Sequence, residues 1–332
     1  MRPLGRTGLR VSQLGFGGAP LGNLFAALSD AAAGETVAAA FEAGIRVFDT
    51  APLYGHGLSE RRIGAALRHR RRDEFALATK VGRLLRPDPR AEGGLYRDIP
   101  PFAAVYDYSC DGVLRSIEDS LQRLGLARVD IVHIHDVDIW THKSQAAMDA
   151  RFAEVMAGGY RALLRLREEK AIGAIGVGVN EWQACERFAE AGDFDCFLLA
   201  GRYTLLEQAA LDSFLPLCLR RNIAVIIGGP FNTGILATGA IAGATYNYRP
   251  ATEAVRERVR SIESLCRDHG VALASAALQF PLHHPAVASV IPGARSAGEV
   301  AANIATLEAP IPPALWQALK HEGLLREDAP TP

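Results

Sequence analysis

Eight times along the chain, a short apolar run rich in β-branched residues precedes a longer segment with helical spacing, and few folds can use that alternation. "SQLGFGG" precedes a helix predicted over about Asp30–Ala43, "IRVFDTA" precedes "SERRIGAALRH", and "FALATK" precedes "DGVLRSIEDSLQRLG". "VDIVHIHD" leads to the helix ending in "RALLRLREEKA", "IGAIGVGVN" to "EWQACERFAEAG", and "DCFLLAGRY" to "EQAALDSFLPLCLRR". "IAVIIGG" and "VASVIPGA" then precede "EAVRERVRSIESLCRDHG" and "AGEVAANIATL". Continuous apolar strands imply a parallel sheet buried on both faces. Eight such units match a closed (β/α)8 TIM barrel occupying residues 1–332 as one α/β domain. A doubly wound sheet would open its first helix with Gly-x-Gly-x-x-Gly. In "GFGGAPLG" the last glycine, Gly22, falls too late and no helix follows at once.

Two stretches break the period. Arg86–Ser109, "RPDPRAEGGLYRDIPPFAAVYDYS", follows the third strand, and "PFNTGILATGAIAGATYNYRP" follows the seventh. Both are rich in Pro, Gly and aromatics, and both fall on the C-terminal face, where barrels carry substrate loops. The first reads as a lid.

Charge narrows the partners. Lys plus Arg (36) balance Asp plus Glu (37), so no global field draws nucleic acid or an anionic membrane surface. The basic run "RHRRR", Arg68–Arg72, reads as the charged C-terminal end of the second helix. The N-terminus lacks an apolar signal core, and no run approaches the roughly 18–20 residues of a membrane span. The expectation is a cytoplasmic protein, monomer or small homo-oligomer, whose partner is a small molecule. Five cysteines, widely spaced and without Cys-x-x-Cys, read as reduced core thiols. His283–His284, beside Pro285, reads as surface.

In a barrel, residues just past each strand converge on one site. The second strand delivers Asp49 and, after a turn, Tyr54; the third ends on Lys80; the fourth ends on His135. A tyrosine with an ordinary pKa near ~10 exchanges protons poorly at neutral pH, and an adjacent ammonium lowers that value. Lys80 could supply the charge, Asp49 would hold Lys80, and His135 would position the reacting oxygen. A metal reading of "HIHD", with His133 and His135 on one strand face, needs further ligands. The fifth and sixth strands carry no histidine and the eighth ends without an aspartate, so no metal is expected and His133 reads as a core histidine.

The stretches "LGRTGLRVSQLGFGG", "FDTAPLYGHGLSE", "LATK", "VDIVHIHD" and "SVIPGARSAGEVAANI" resemble the aldo-keto reductase superfamily nearly end to end. That family's Asp–Tyr–Lys–His tetrad falls on Asp49, Tyr54, Lys80 and His135. The resemblance also implies an N-terminal β-hairpin over about residues 1–12 that plugs the barrel's bottom. "YDYSCDGVLRSIEDSLQRLGL", "HDVDIWTH", "GVGVNEW" and "IGGPFNTGIL" look like the D-threo-aldose 1-dehydrogenase (L-fucose dehydrogenase) group, with L-galactose and pyridoxal 4-dehydrogenases as relatives.

That likeness implies oxidation of the cyclic hemiacetal of an aldose such as L-fucose, D-arabinose or L-galactose to a lactone, with NAD favoured over NADP. The cofactor would lie on Gly17, Gly18, Asn180, Gly229, Pro230, Phe231, Asn232, Gly234, Leu236, Pro292, Gly293, Arg295, Glu299 and Asn303. The substrate would meet Phe102, Tyr106, Tyr108 and Trp140. Three positions depart from the wider family: Ala200 stands for a glutamine that holds the carboxamide, Gly228 for a tyrosine that stacks on the nicotinamide, and Gly293 and Glu299 for basic residues that meet a 2′-phosphate. Either Phe231 or Tyr203 compensates for the stacking tyrosine, or the nicotinamide ring sits more loosely. Alternatives are a pyridoxal 4-dehydrogenase, a general aldehyde reductase, or, in another class, a non-catalytic cofactor-sensing subunit.

Overall fold

The computed structural model describes residues 1–332. Eight short strands form one parallel sheet: β1 (Phe16–Gly17), β2 (Val47–Asp49), β3 (Ala76–Val81), β4 (Ile131–His135), β5 (Ala174–Val179), β6 (Cys196–Ala200), β7 (Ala224–Gly228) and β8 (Val287–Ile291). They pair in chain order, each strand beside the next, as in a barrel of successive βα units. Two parallel bridges, Leu14 with Val290 and Gly17 with Gly293, close the ring between β1 and β8. The barrel expected from the alternation is the barrel observed.

Around it lie α1 (Asp30–Glu42), α2 (Leu58–Leu67), α3 (Cys110–Leu124), α4 (Gln145–Glu154), α5 (Tyr160–Glu168), α6 (Trp182–Ala191), α7 (Phe214–Arg221), α8 (Glu253–Asp268), α9 (Leu273–Gln279), α10 (Ala297–Glu308) and α11 (Pro313–His321). Hydroxyl caps start several of them: Ser29, Ser109, Thr252 and Ser296 each accept from a backbone N–H three residues on. A π turn, Val155–Gly159, joins α4 to α5. Its two glycines let the chain after the lid pass close by, and Gly159 donates to the Tyr108 carbonyl at 3.0 Å.

The bottom is closed by the antiparallel pair Arg2–Pro3 and Arg10–Val11. Leu4 and Val11 are fully buried there against the inward residues Val47, Ala76, Ile131, Ala174, Ala224 and Ala288 of the strands. At the other end, the lid is a β-hairpin, Arg83–Pro87 paired with Phe102–Tyr106. After β7 come a helical turn, Ile235–Thr238, and a small ribbon, Thr245–Tyr246 with Arg249–Pro250.

Some local expectations change. The run Arg68–Arg72 lies beyond α2, which ends at Leu67. Arg72 instead reaches the Phe75 and Arg128 carbonyls and Asp130, stapling the approach to β3. His284 is buried, set edge-on to Tyr203, because the short 3-10 turn Phe280–His283 tucks beneath Trp316. The helix after β6, α7, begins at Phe214, seven residues later than its pattern starts at Glu207, since a 3-10 turn, Ala209–Leu211, intervenes. The cysteines form no disulfide, and all but the half-exposed Cys110 are buried. No helix is long and apolar enough to cross a membrane.

Candidate active site

Asp49 and Lys80 end neighbouring strands and meet inside the ring. The Lys80 ammonium donates to both Asp49 oxygens, at 2.7 and 2.6 Å, and to the Thr50 carbonyl at 2.8 Å. Both side chains are almost wholly buried, Lys80 1% and Asp49 3% exposed. A buried charge is tolerable only when paired and hydrogen-bonded, and here the ammonium's three donors are all used. Burial raises the Asp49 carboxyl, and the charge of Lys80 opposes the rise. Gly178 on β5 faces the pair, where a Cβ would make ordinary contact with Lys80 Cε at 3.4 Å. Gly176, one step deeper, makes room for His133.

Tyr54 leaves β2 through a turn wedged against Gly22, where an added Cβ would lie 2.4 Å from the Tyr54 carbonyl carbon. Lys80 Nζ stands 4.9 Å from the centre of the Tyr54 ring. The ammonium donates to Asp49 and Thr50 and makes no hydrogen bond to the phenol, so the lowering expected from its charge rests on proximity alone. Burial, followed by the negative charges of Asp49 and Asp136 among its neighbours, holds the phenol well above its ordinary range. His135 sits edge-on to the Tyr54 ring, centres 5.8 Å apart. Burial, then Arg83 and Lys80, keep its imidazole well below the ordinary range and so neutral. His133 is buried with its Nδ1 4.0 Å from Asp49 and its Nε2 facing the Cys196 sulfur.

A cleft of about 640 Å³ opens above these groups. Besides Tyr54, Lys80 and His135 it is lined by His56, Arg83, Tyr96, Tyr106, Asp136, Trp140, Asn180, Ala200, Asn247 and Tyr248. Trp140 stands on a helical turn whose N–H groups are held by Glu181 and Asp138. Two expected substrate residues lie elsewhere. Tyr108 is fully buried behind the wall, its hydroxyl donating to the His135 carbonyl at 2.6 Å, and the Phe102 carbonyl receives the His56 ring. Neither lines the cleft: Tyr108 follows the lid's return strand into the core, and Phe102 reaches His56 through its backbone.

Arg83, Asp136, Tyr96, His56, Asn247 and Tyr248 had not been singled out. Asp136 had a visible signal, since it directly follows His135 in "HIHD". Arg83 lies three residues past Lys80, beyond where a strand end is read. The others come from loops whose side-chain directions no periodicity records.

The residues assigned to a cofactor form an arc over the ends of β5, β7, β8 and β1. Asn180 and Ala200 line the cleft, and Gly229 and Asn232 line a smaller recess continuous with it. Asn232 is buried with its Oδ1 unpartnered while its amide donates to the Gly201 carbonyl. Ala200, which pairs with Gly228 across β6 and β7, lines both the cleft and the recess. That recess, with an orphaned amide oxygen in its wall, fits a nicotinamide nucleotide.

Gly17 and Gly293 bridge at the closing seam, and Gly18 packs on the Asp49 carbonyl. Leu236 is wholly buried in the core, so its side chain serves packing. Tyr203 is likewise buried against Phe280 and His284 and cannot replace the stacking tyrosine, while Phe231 packs on the core. Glu299 accepts from the Arg295 N–H and is itself capped by Ser296 at the start of α10. The Arg295 guanidinium is spent on the carbonyls of Ala26 and Ala27. Pro292 and Asn303 flank this loop on β8's exit and on α10.

A parallel barrel with a buried Lys–Asp pair, a tyrosine and a neutral histidine under a deep cleft carries the groups that general acid–base chemistry on a small molecule requires. The model of the Aldo/keto reductase family matches residues 13–321, and the chain belongs to that family. It is 41% identical to the pyridoxal 4-dehydrogenase of Microbacterium luteolum, over 98% of this chain and 97% of that one. It is 39% identical to the D-threo-aldose 1-dehydrogenase of a Pseudomonas species, again over 98% and 97%. Among solved structures, the holo form of an aldo-keto reductase from Bacillus halodurans superposes with a TM-score of 0.75 at 26% identity, covering 98% of this chain and 96% of that chain. The protein is therefore an oxidoreductase of a family that uses nicotinamide nucleotides on small sugar or aldehyde substrates.

Proposed function

We propose that the protein oxidises a cyclic hemiacetal to a lactone, with Asp49, Tyr54, Lys80 and His135 as its catalytic set. The observation that carries this reading is the convergence of Tyr54, His135 and the closed Lys80–Asp49 pair on the floor of one cleft. A bound nicotinamide nucleotide supplies the acceptor for the hydride that leaves the anomeric carbon. Tyr54, as phenolate, takes the proton of the anomeric hydroxyl as the carbonyl forms; as phenol it returns that proton in the reductive direction. Neutral His135 donates a hydrogen bond to the reacting oxygen. Lys80 faces the Tyr54 ring and favours the developing phenolate through its field, with Asp49 holding the ammonium in place.

Asn180, Asn232 and the glycines of the β7 and β8 loops would hold the nucleotide. NAD is favoured over NADP, because Glu299 repels a 2′-phosphate and Arg295 is already committed to the loop after β1.

Two substrate classes fit the same chemistry. Aldoses such as L-fucose, D-arabinose and L-galactose exist as hemiacetals, and pyridoxal closes into one through its hydroxymethyl group. The aromatic walls Tyr96, Tyr106, Trp140 and Tyr248 favour a ring-shaped substrate of either class. The test offers NAD and NADP separately with each of these four compounds at mildly alkaline pH and follows formation of the reduced nicotinamide. Turnover of one of them with NAD, accompanied by lactone, is the expected result. Reduction of simple aldehydes with no hemiacetal oxidation would overturn the reading.

A further inference from the structure

Beside the catalytic floor lies a carboxylate that the proton-transfer set does not use. Asp136 follows His135 at the mouth of β4, in the left-handed backbone region at φ 56°, with its N–H bonded to the Gly178 carbonyl at 2.9 Å. A non-glycine residue held there is uncommon, and such positions cluster at functional sites. Its Oδ2 accepts from the Arg83 guanidinium at 2.8 Å and lies 3.6 Å from His135 Nε2.

Arg83 is itself buried, 6% exposed, and gripped by the Tyr106 hydroxyl and ring. The carboxylate is therefore fixed in place. Its second oxygen, Oδ1, accepts no hydrogen bond from the protein, and Asp136 lines the cleft.

An ionised carboxylate offers only acceptors. When a ligand fills the cleft and expels water, Oδ1 must find a donor or lose its solvation uncompensated. The reacting oxygen of the substrate is bound by His135, whose Nε2 is the near neighbour of this carboxylate. A donor that reaches Asp136 at the same time is a close neighbour of the reacting oxygen on the substrate, because the two protein groups lie only 3.6 Å apart, and vicinal oxygens of a sugar meet that requirement.

We propose that Asp136, held by Arg83, determines specificity by accepting a hydrogen bond from the hydroxyl on the carbon adjacent to the reacting one. The preferred substrates are then 2-hydroxy hemiacetals, the sugar class. This inference rests on the hemiacetal reading above.

D-Arabinose and 2-deoxy-D-ribose differ only at that hydroxyl and form a matched pair of probes. With NAD, wild-type kcat/KM is expected to favour D-arabinose by about 10²-fold, since a site built around a substrate hydroxyl strongly rejects the analogue lacking it. Asp136→Gly, which suits the left-handed backbone, should shrink that ratio at least about tenfold. Asp136→Asn, which tolerates the same conformation and keeps a carbonyl acceptor, should fall between the two. Equal losses on both sugars, with the ratio preserved, would mean that Asp136 acts only through the fold or His135 and would overturn the inference. Equal wild-type use of the two sugars, or turnover of pyridoxal but of neither sugar, would overturn it as well while leaving hemiacetal oxidation standing. Failure of wild type on every hemiacetal would instead bring down the underlying reading before any variant is made.

Discussion

The chemistry of single residues here is decided by burial more than by partners. Tyr54 was expected to be acidified by Lys80, yet the ammonium is fully engaged by Asp49 and Thr50, and the buried phenol stays protonated. Oxidation needs the phenolate and reduction the phenol, so the rate of oxidation should rise with pH through the alkaline range while reduction holds at neutral pH. Tyr54→Phe should lower kcat by about 10²–10⁴-fold and abolish this rise while leaving nucleotide binding intact; initial rates and nucleotide titration check both. Glu299→Lys should raise the NADP-to-NAD ratio of kcat/KM. Because Glu299 also accepts from the Arg295 N–H, the same variant should lose about 1 kcal/mol of stability, read as a lowered denaturation midpoint. The tetrad was legible in the sequence because strand ends announce what they carry. The burial of Tyr108 behind the cleft wall was not, since an aromatic in a loop has no period to fix its direction.

Elements meet closely where glycine allows it. The tightest approach is between α2 and α3, where a Cβ on Gly64 would lie 1.9 Å from the Leu124 carbonyl oxygen. The contact is with backbone, so the helices must part to admit a methyl group. Gly64→Ala should destabilise by about 1–3 kcal/mol despite alanine's better helix propensity, and urea unfolding would show it. An unchanged or higher midpoint would mean that the helices separate freely. Most helix positions were readable from apolar spacing and hydroxyl caps, as α1 shows, predicted over Asp30–Ala43 and observed over Asp30–Glu42. The π turn at Val155–Gly159 was not, because it is imposed by the Tyr108 segment crossing beneath it.

The whole molecule buries several histidines in neutral form. His133 and His135 lie well below the ordinary range through burial and nearby cations, and burial brings His284 down to about 4. In the unfolded chain each would take up a proton below about pH 6.5, whereas the folded chain leaves it off. The unfolded state then binds more protons, so stability falls as pH drops below that value, by about 1.4 kcal/mol per pH unit for each histidine. Asp49, with its raised pKa, works weakly in the opposite direction. Thermal unfolding between pH 7 and pH 5 should show a steep loss, and a flat profile would contradict the buried neutral state. At this scale the barrel itself was the most legible feature, since eight alternations leave almost no other topology.

The ring's join has a consequence of its own. β1 and β8 meet through two isolated bridges, at Leu14 and Gly17, and through backbone hydrogen bonds from Gly15 N–H to the Val290 carbonyl, from Val290 N–H to the Gln13 carbonyl and from Gly17 N–H to the Pro292 carbonyl. The same join carries Gly17, Gly293 and the Arg295 clamp, within the arc assigned to the nucleotide. Occupancy of that arc would act as a hoop across the line where the first and last strands of the ring join.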